Sequence, residues 1–367
     1  MIAAHATVGS RRDPTKQHRP GGPLSRTAAA CQALAVVLLA PALVAIDVRA
    51  ALEVEIIRSI GGLPPHIVGL FEEPLGFQQT PGGAYYVFDR RGHTVYSVDP
   101  ARKSARKLIE IGQEFGRIIQ PRGFDTSAAG SFVVADSPRG VDRVQIFGAG
   151  GMRAGGFTLP ARQTSAELTL ESVIINGVAS IQYSGANFLI SHPESGALIT
   201  EYSPAGYAMR SIGRLRDTGF EQDRDLHLAL NVGLPVVDPT GGFYYVFLGG
   251  RPLFHKYDRN GAFVFERHVE GIELDPYLAS LPTLWASRRA ADRELPLVLP
   301  AIRAAAVDGR GQLWISLAQP YTYVYDARGD KVRTVQFSAA GTVSPTSLFF
   351  TRDGRLLVTP GCYEFRP

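Results

Sequence analysis

The chain has 367 residues, with 38 Lys and Arg against 34 Asp and Glu and a formal charge of +4. At 45% hydrophobic and 20% charged, it is excluded from the disordered and membrane-embedded classes and can bury a large core as one or two domains. The basic excess is local: residues 1–50 hold six basic and two acidic groups, so residues 51–367 carry 32 of each, which argues against a nucleic-acid partner for the body.

Residues 28–46 form an uncharged apolar run of nineteen residues behind a basic, acid-poor segment, the pattern of an export signal or signal anchor. Small residues at Val48 and Ala50 predict cleavage near Ala50, and an uncleaved leader would anchor the chain in the inner membrane. Either way residues 51–367 are expected outside the cytoplasm, periplasmic or secreted. Ser10-Arg11-Arg12 is similar to a twin-arginine signal, but Asp13-Pro14-Thr15 lacks its apolar pair, so the export route stays open. Cys31 opens the apolar run instead of closing it, against lipidation. After cleavage Cys362 would be the one remaining thiol, which permits neither an internal disulfide nor a cysteine metal site and predicts a small packed residue in the last strand.

Gly 39, Pro 25 and Met 3 suit a turn-rich β protein, and residues 51–367 repeat. Aligned at Leu75, Arg122, Asn176, Val232, Arg303 and Thr346, each unit continues with a small residue, a short strand, a turn and a strongly apolar strand. The apolar strands are Tyr85 to Phe88, Phe132 to Ala135, Phe188 to Ser191, Phe243 to Phe247, Leu313 to Ser316 and Leu356 to Thr359. Aromatic and β-branched runs of this kind suit strands buried on both faces. A third strand ends in a polar turn, as at Tyr96 to Pro100 or Val324 to Gly329, and a fourth leaves for the edge, as at Ala208 to Gly213. Four strands per repeated unit is a propeller blade.

The spacings of 47, 54, 56, 71 and 43 residues make six units, and the last runs out of chain after its third strand. Residues 55–61, EIIRSIG, repeat the Arg-Ser-Ile-Gly of Arg210 to Gly213 and are expected to complete the sixth blade. The fold class is therefore all-β: one six-bladed β-propeller over 51–367, four strands to a blade. Two insertions interrupt it. The charged segment 214–228 reads as a solvated loop. Segment 275–295 reads as one short helix with Leu278, Leu281, Leu284 and Trp285 on its apolar face, either a lid or a rim element.

Gln120 to Phe147 and Glu73 to Asp89 resemble the NHL-type repeats of six-bladed propellers, and the resemblance extends over nearly all of 52–367. Such propellers include binding scaffolds and enzymes. Amidoglycolate lyases of this fold carry channel histidines for a metal, but no aligned position here is His. Gluconolactonase-like propellers hold a divalent cation such as Ca²⁺ with Glu, Asn and Asp, and the resemblance places Glu72 and Asn176 as the first two ligands. The third position is Val232.

In a propeller the turn entering each innermost strand faces the central channel, so the six aligned positions should form a ring there. Arg122 and Arg303, from opposite blades, would clamp an anion between two guanidinium forks, with Asn176 and Thr346 beside them. His192 interrupts the Asp positions after the apolar strands (Asp89, Asp136) and is the candidate base. Tyr85, Tyr86, Tyr244, Tyr245, Tyr321, Tyr323 and Tyr325 offer rings for sugars or peptides, with at least half expected in the core. No nucleophile elbow, Walker loop, Rossmann fingerprint or H-E-x-x-H is present. The leading reading is a monomeric binding module for a small anion or for a protein or peptide partner. A divalent-metal-dependent lactonase- or lyase-like enzyme is the competing class.

Overall fold

The computed structural model describes residues 53–160, 167–170, 173–176, 178, 180–290 and 293–367. The apolar run 28–46, Ser10-Arg11-Arg12 and Cys31 lie outside the described residues. Among the described residues, no helix is long and apolar enough to cross a membrane.

The apolar runs are strands: Tyr85–Asp89, Phe132–Asp136, Asn187–Ser191, Phe243–Phe247, Leu313–Leu317 and Leu356–Thr359. The first four are second strands of antiparallel four-stranded sheets. The first sheet runs Pro74–Gln79, Tyr85–Asp89, Thr94–Val98, Ala105–Lys107; the second runs Gly123–Thr126, Phe132–Asp136, Arg143–Phe147, Arg153–Thr158. The third runs Ser180–Ser184, Asn187–Ser191, Ala197–Tyr202, Ala208–Arg214; the fourth runs Gly233–Val237, Phe243–Phe247, Leu253–Tyr257, Phe263–His268.

Two hairpins apart, the other strands join in one nine-stranded sheet. Its order is Ile302–Val307, Leu313–Leu317, Thr322–Tyr325, Lys331–Ser338, Val54–Gly62, Tyr363–Phe365, Leu356–Thr359, Ser347–Phe350, with Thr342–Val343 also on Lys331–Ser338. The strand Val54–Gly62 joins its two halves. Its first part runs parallel to Thr334–Ser338, and its second part, after a bulge between Ser59 and Gly61, is antiparallel to Tyr363–Phe365.

Side-chain alternation explains why the second strands are apolar at every position. Tyr86 and Phe88 face the second sheet, in a cluster with Phe132, Val134 and Phe147. Tyr85 and Val87, on the other face, pack with Leu357 and Cys362 from the end of the chain. Val133 and Ala135 turn to the third sheet's Phe188 and Ile190, and Leu189 turns to Tyr245 and Phe247 of the fourth. Tyr244 and Val246 meet Leu313 and Ile315, while Trp314 meets Leu356 and Val358. With a side-chain period of two, each second strand is core on both faces, and every sheet is glued to the next. The first strands touch in turn: Pro74–Gln79, Gly123–Thr126, Ser180–Ser184, Gly233–Val237, Ile302–Val307, Ser347–Phe350, and back to Pro74–Gln79. Sheets stacked face to face around a closed ring of first strands are a β-propeller.

The insertions differ from expectation. Segment 214–228 is a loop with no buried residue only over 215–223, because Arg224–Leu230 is an α-helix with Leu226, Leu228, Ala229 and Leu230 buried. Asp223 caps it, its carboxylate accepting the Leu226 N–H at 3.1 Å. Arg216, lying over the Phe247 ring, donates to the carbonyls of Leu230 (2.8 Å), Gly249 (3.0 Å) and Arg251 (3.1 Å). Burial lowers its pKa to about 10. In 275–295 the α-helix stops at Ala279, short of the expected apolar face. Pro282 disfavours helical backbone at Leu281, so the chain leaves the helix and returns as the hairpin Ser287–Ala290 with Arg293–Pro296. Tyr277, Leu278 and Trp285 pack on the core between the fourth sheet and Leu313–Leu317, and Leu284 is exposed.

Candidate functional site

The ring of first strands encloses a cavity of about 790 Å³. Because these strands run in the same direction, their first residues form one end of the cavity and later residues lie deeper. At the mouth stand Arg122, Arg303, Leu75 and Thr346, joined by Arg90 and Arg91 from the turn that follows Tyr85–Asp89. Arg122 and Arg303 are half-buried. Thr346 is tied to its own sheet, its N–H donating to the Thr359 carbonyl at 2.8 Å and its hydroxyl 3.0 Å from that of Thr359. His93 and Gln120 also border the mouth, with the Gln120 N–H donating to His93 Nδ1 at 3.3 Å.

Two carboxylates face this space. Glu73 accepts Arg90 Nε at 2.9 Å and closes a second contact with Arg90 Nη2, so its charge is matched locally. Asp125 sits deeper, between Gln78 of the preceding strand ring position and Ser180–Ser184 of the next. Its Oδ1 accepts Gln78 Nε2 at 3.1 Å, and its Oδ2 accepts the Tyr183 N–H at 2.7 Å. Burial outweighs these bonds and raises its pKa to about 6. The rest of the lining is largely apolar, with Leu75, Phe124, Leu348 and Phe349 partly exposed.

The expected ring is therefore changed at two places. Asn176 ends the hairpin Glu167–Leu170 with Val173–Asn176, and the first strand of the third sheet starts later, at Ser180. Ser180, Ile181 and Gln182 line the cavity there. Val232 is buried in the core behind the cavity, where Leu234 and Pro235 supply the wall. The third sheet's first strand begins four residues after the aligned position, whereas Gly233–Val237 begins where the repeat places it and only the Val232 side chain turns into the core.

The other candidates lie elsewhere. Glu72 is exposed and does not line the cavity; its backbone N–H donates to Asp89 Oδ2 at 2.8 Å. Glu72 thus lies outside the cavity lining, and Val232, in the core, brings no oxygen to it. Among the described residues, no three His, Cys, Asp or Glu gather as a metal group. His192 is buried, 3.7 Å from Glu194 Oε2, and is not among the residues that line the cavity. Asp89 bonds the following turn at Gly92 (3.0 Å) and also the N–H groups of Glu72 and Glu73, whereas Asp136 holds Arg143 by two bonds of 2.7 and 2.8 Å. Six of the seven tyrosines are buried, with only Tyr321 partly exposed, so they form core and not a stacking surface. Cys362 is buried, in a turn of positive φ before the last strand, and burial raises its pKa.

No protein-family profile matches the chain, and no curated protein matches it. Among solved structures, virginiamycin B lyase from Staphylococcus aureus is similar at 10% identity and a TM-score of 0.48, over 78% of this chain and 77% of that one. A catalytically inactive variant of that enzyme with quinupristin gives 11%, 0.47, 78% and 77%. The WD40 β-propeller domain of Doa1 gives 9% and 0.42, over 84% of this chain and 96% of that one.

Proposed function

We propose that this protein is an exported, six-bladed, NHL-like propeller that binds a small anion in its central channel, with Arg122 and Arg303 as the clamp and Arg90 and Arg91 at the approach. The observation that carries the reading is the charge of the cavity lining, where the described residues bring four guanidiniums and two carboxylates, one of the latter matched by Arg90. Guanidinium forks donate paired hydrogen bonds to carboxylate, phosphate or sulfate, and the low-dielectric channel walls strengthen them. The count of six is supported by the ring of touching first strands, if the nine-stranded sheet is divided at the parallel pairing of Val54–Gly62. On that count Arg122 and Arg303 are three blades apart either way round. Residues 1–50 supply the export leader in this reading.

Thermal-shift and calorimetric titrations with acetate, citrate, phosphate and sulfate test it. An anion at 100 times its Kd should add ~2.7 kcal/mol to stability. The double variant Arg122→Gln/Arg303→Gln should lose that shift and at least about tenfold in affinity. Unchanged binding in the double variant would sink the clamp.

A further inference from the structure

The anion reading leaves one charged group of the channel without a role. Asp125 lines the cavity and is 9% exposed. Its hydrogen bonds come from Gln78, from the Tyr183 N–H and from the Thr126 backbone, all neutral donors. A carboxylate offers about four lone-pair sites, so these three bonds leave it acceptor capacity. The proton affinity of Asp125, raised to about 6 by burial, agrees with a carboxylate that has been desolvated without a cation to match it.

Position along the strand gives the spacing. Asp125 lies inside the strand Gly123–Thr126 and Arg122 just before it, where both the Arg122 N–H and Gly123 face Ala135; at ~3.3 Å per residue, less the shortening at that bulge, the two positions are roughly 7–10 Å apart along the channel. Apolar side chains, Phe124 and Leu348, occupy the wall over that interval. The channel is thus electropositive at the mouth, apolar in the middle and electronegative at depth.

We infer that the ligand is an extended zwitterion, its carboxylate held by Arg122 and Arg303 and its ammonium set against Asp125, with an apolar spacer between them. The inference rests on the anion reading above and narrows it to one ligand class. Asp125 selects by what it accepts: an ammonium supplies both the missing donor and the missing positive charge, and a plain fatty carboxylate supplies neither.

The test is calorimetry on the full chain near pH 7.5 with 8-aminooctanoate, octanoate and 8-hydroxyoctanoate. Burying an unpaired charge is costly, so 8-aminooctanoate should bind wild type at least about tenfold tighter than octanoate, and Asp125→Asn should bring the two within about threefold. If octanoate or 8-hydroxyoctanoate binds as tightly as 8-aminooctanoate to wild type, the zwitterion inference is overturned. Octanoate binding that is still lost in Arg122→Gln/Arg303→Gln would then leave the anion site standing. If phosphate or sulfate binds and none of the three carboxylates does, the inference again fails alone. If nothing anionic binds, both readings fail. Should Asp125→Asn not fold, the wild-type ratio decides by itself.

Discussion

At the scale of single residues, Asp125 carries a cost that depends on pH. Its folded pKa of about 6 lies above the unfolded value of 3.8, so the ionised form is disfavoured by the fold. Below the unfolded value the group is protonated in both states and costs nothing; as pH rises through the folded value, stability is lost. The shift corresponds to roughly 3 kcal/mol at most. Asp125→Asn should therefore raise the melting temperature near neutral pH and lose that advantage at about pH 4, which paired melting curves will show; a gain independent of pH would contradict the assignment. Glu364 is the opposite case, a buried carboxylate with matched partners: Arg102 Nη2 at 2.5 Å, Arg355 Nη1 at 2.9 Å and the Tyr85 hydroxyl at 3.0 Å. These partners reach it from the first sheet and from the chain's end. Glu364→Gln should cost about 2–3 kcal/mol in chemical denaturation, discounted because both arginines are partly exposed.

At the scale of elements, legibility in the sequence followed burial. Runs such as Phe243–Phe247 and Leu313–Leu317 were readable because strands buried on both faces are apolar at every position. The helix Arg224–Leu230 was hidden, since seven residues are too few to show a helical period and its three flanking charges, Asp223, Arg224 and Asp225, dominate the composition. Its cap was the available signal: Asp223 followed by Leu226, Ala229 and Leu230. Asp223→Ala should lower stability by ~1 kcal/mol while leaving anion affinity unchanged, because the helix packs on the core behind the cavity and not on its lining. The candidate site was half legible for a related reason. Arg122 and Arg303 fall on the repeat, whereas Arg90 and Arg91 lie in a hairpin turn where arginine is unremarkable. Asp125 takes its bonds from Gln78 and Tyr183, partners 47 and 58 residues away that no local pattern connects. An Asp inside an inner strand, where that residue is depleted, was the one hint.

At the scale of the whole molecule, the ring depends on a strand that bridges the chain's beginning and its end. Ile57 of this strand is buried with Trp314, Phe337 and Phe365. A chain starting at Leu63 should melt about 5–10 °C below one starting at Glu53 and with a shallower transition; identical curves would show that the ring holds without the strand.

The same bridging sets an order of events during synthesis. Among the described residues, the strand Val54–Gly62 pairs with Thr334–Ser338 and Tyr363–Phe365. At ~5–20 residues per second it must wait roughly 15–60 s for its last partner to be made. For that interval three isoleucines, Ile56, Ile57 and Ile60, stand in a strand with both edges open. Glu53, Glu55 and Arg58 are interspersed among them, and charges on an open strand discourage pairing with a neighbouring chain. In the finished ring Glu55 is given to Arg333 at 2.8 and 2.9 Å, so a residue that guards the waiting strand becomes part of its latch.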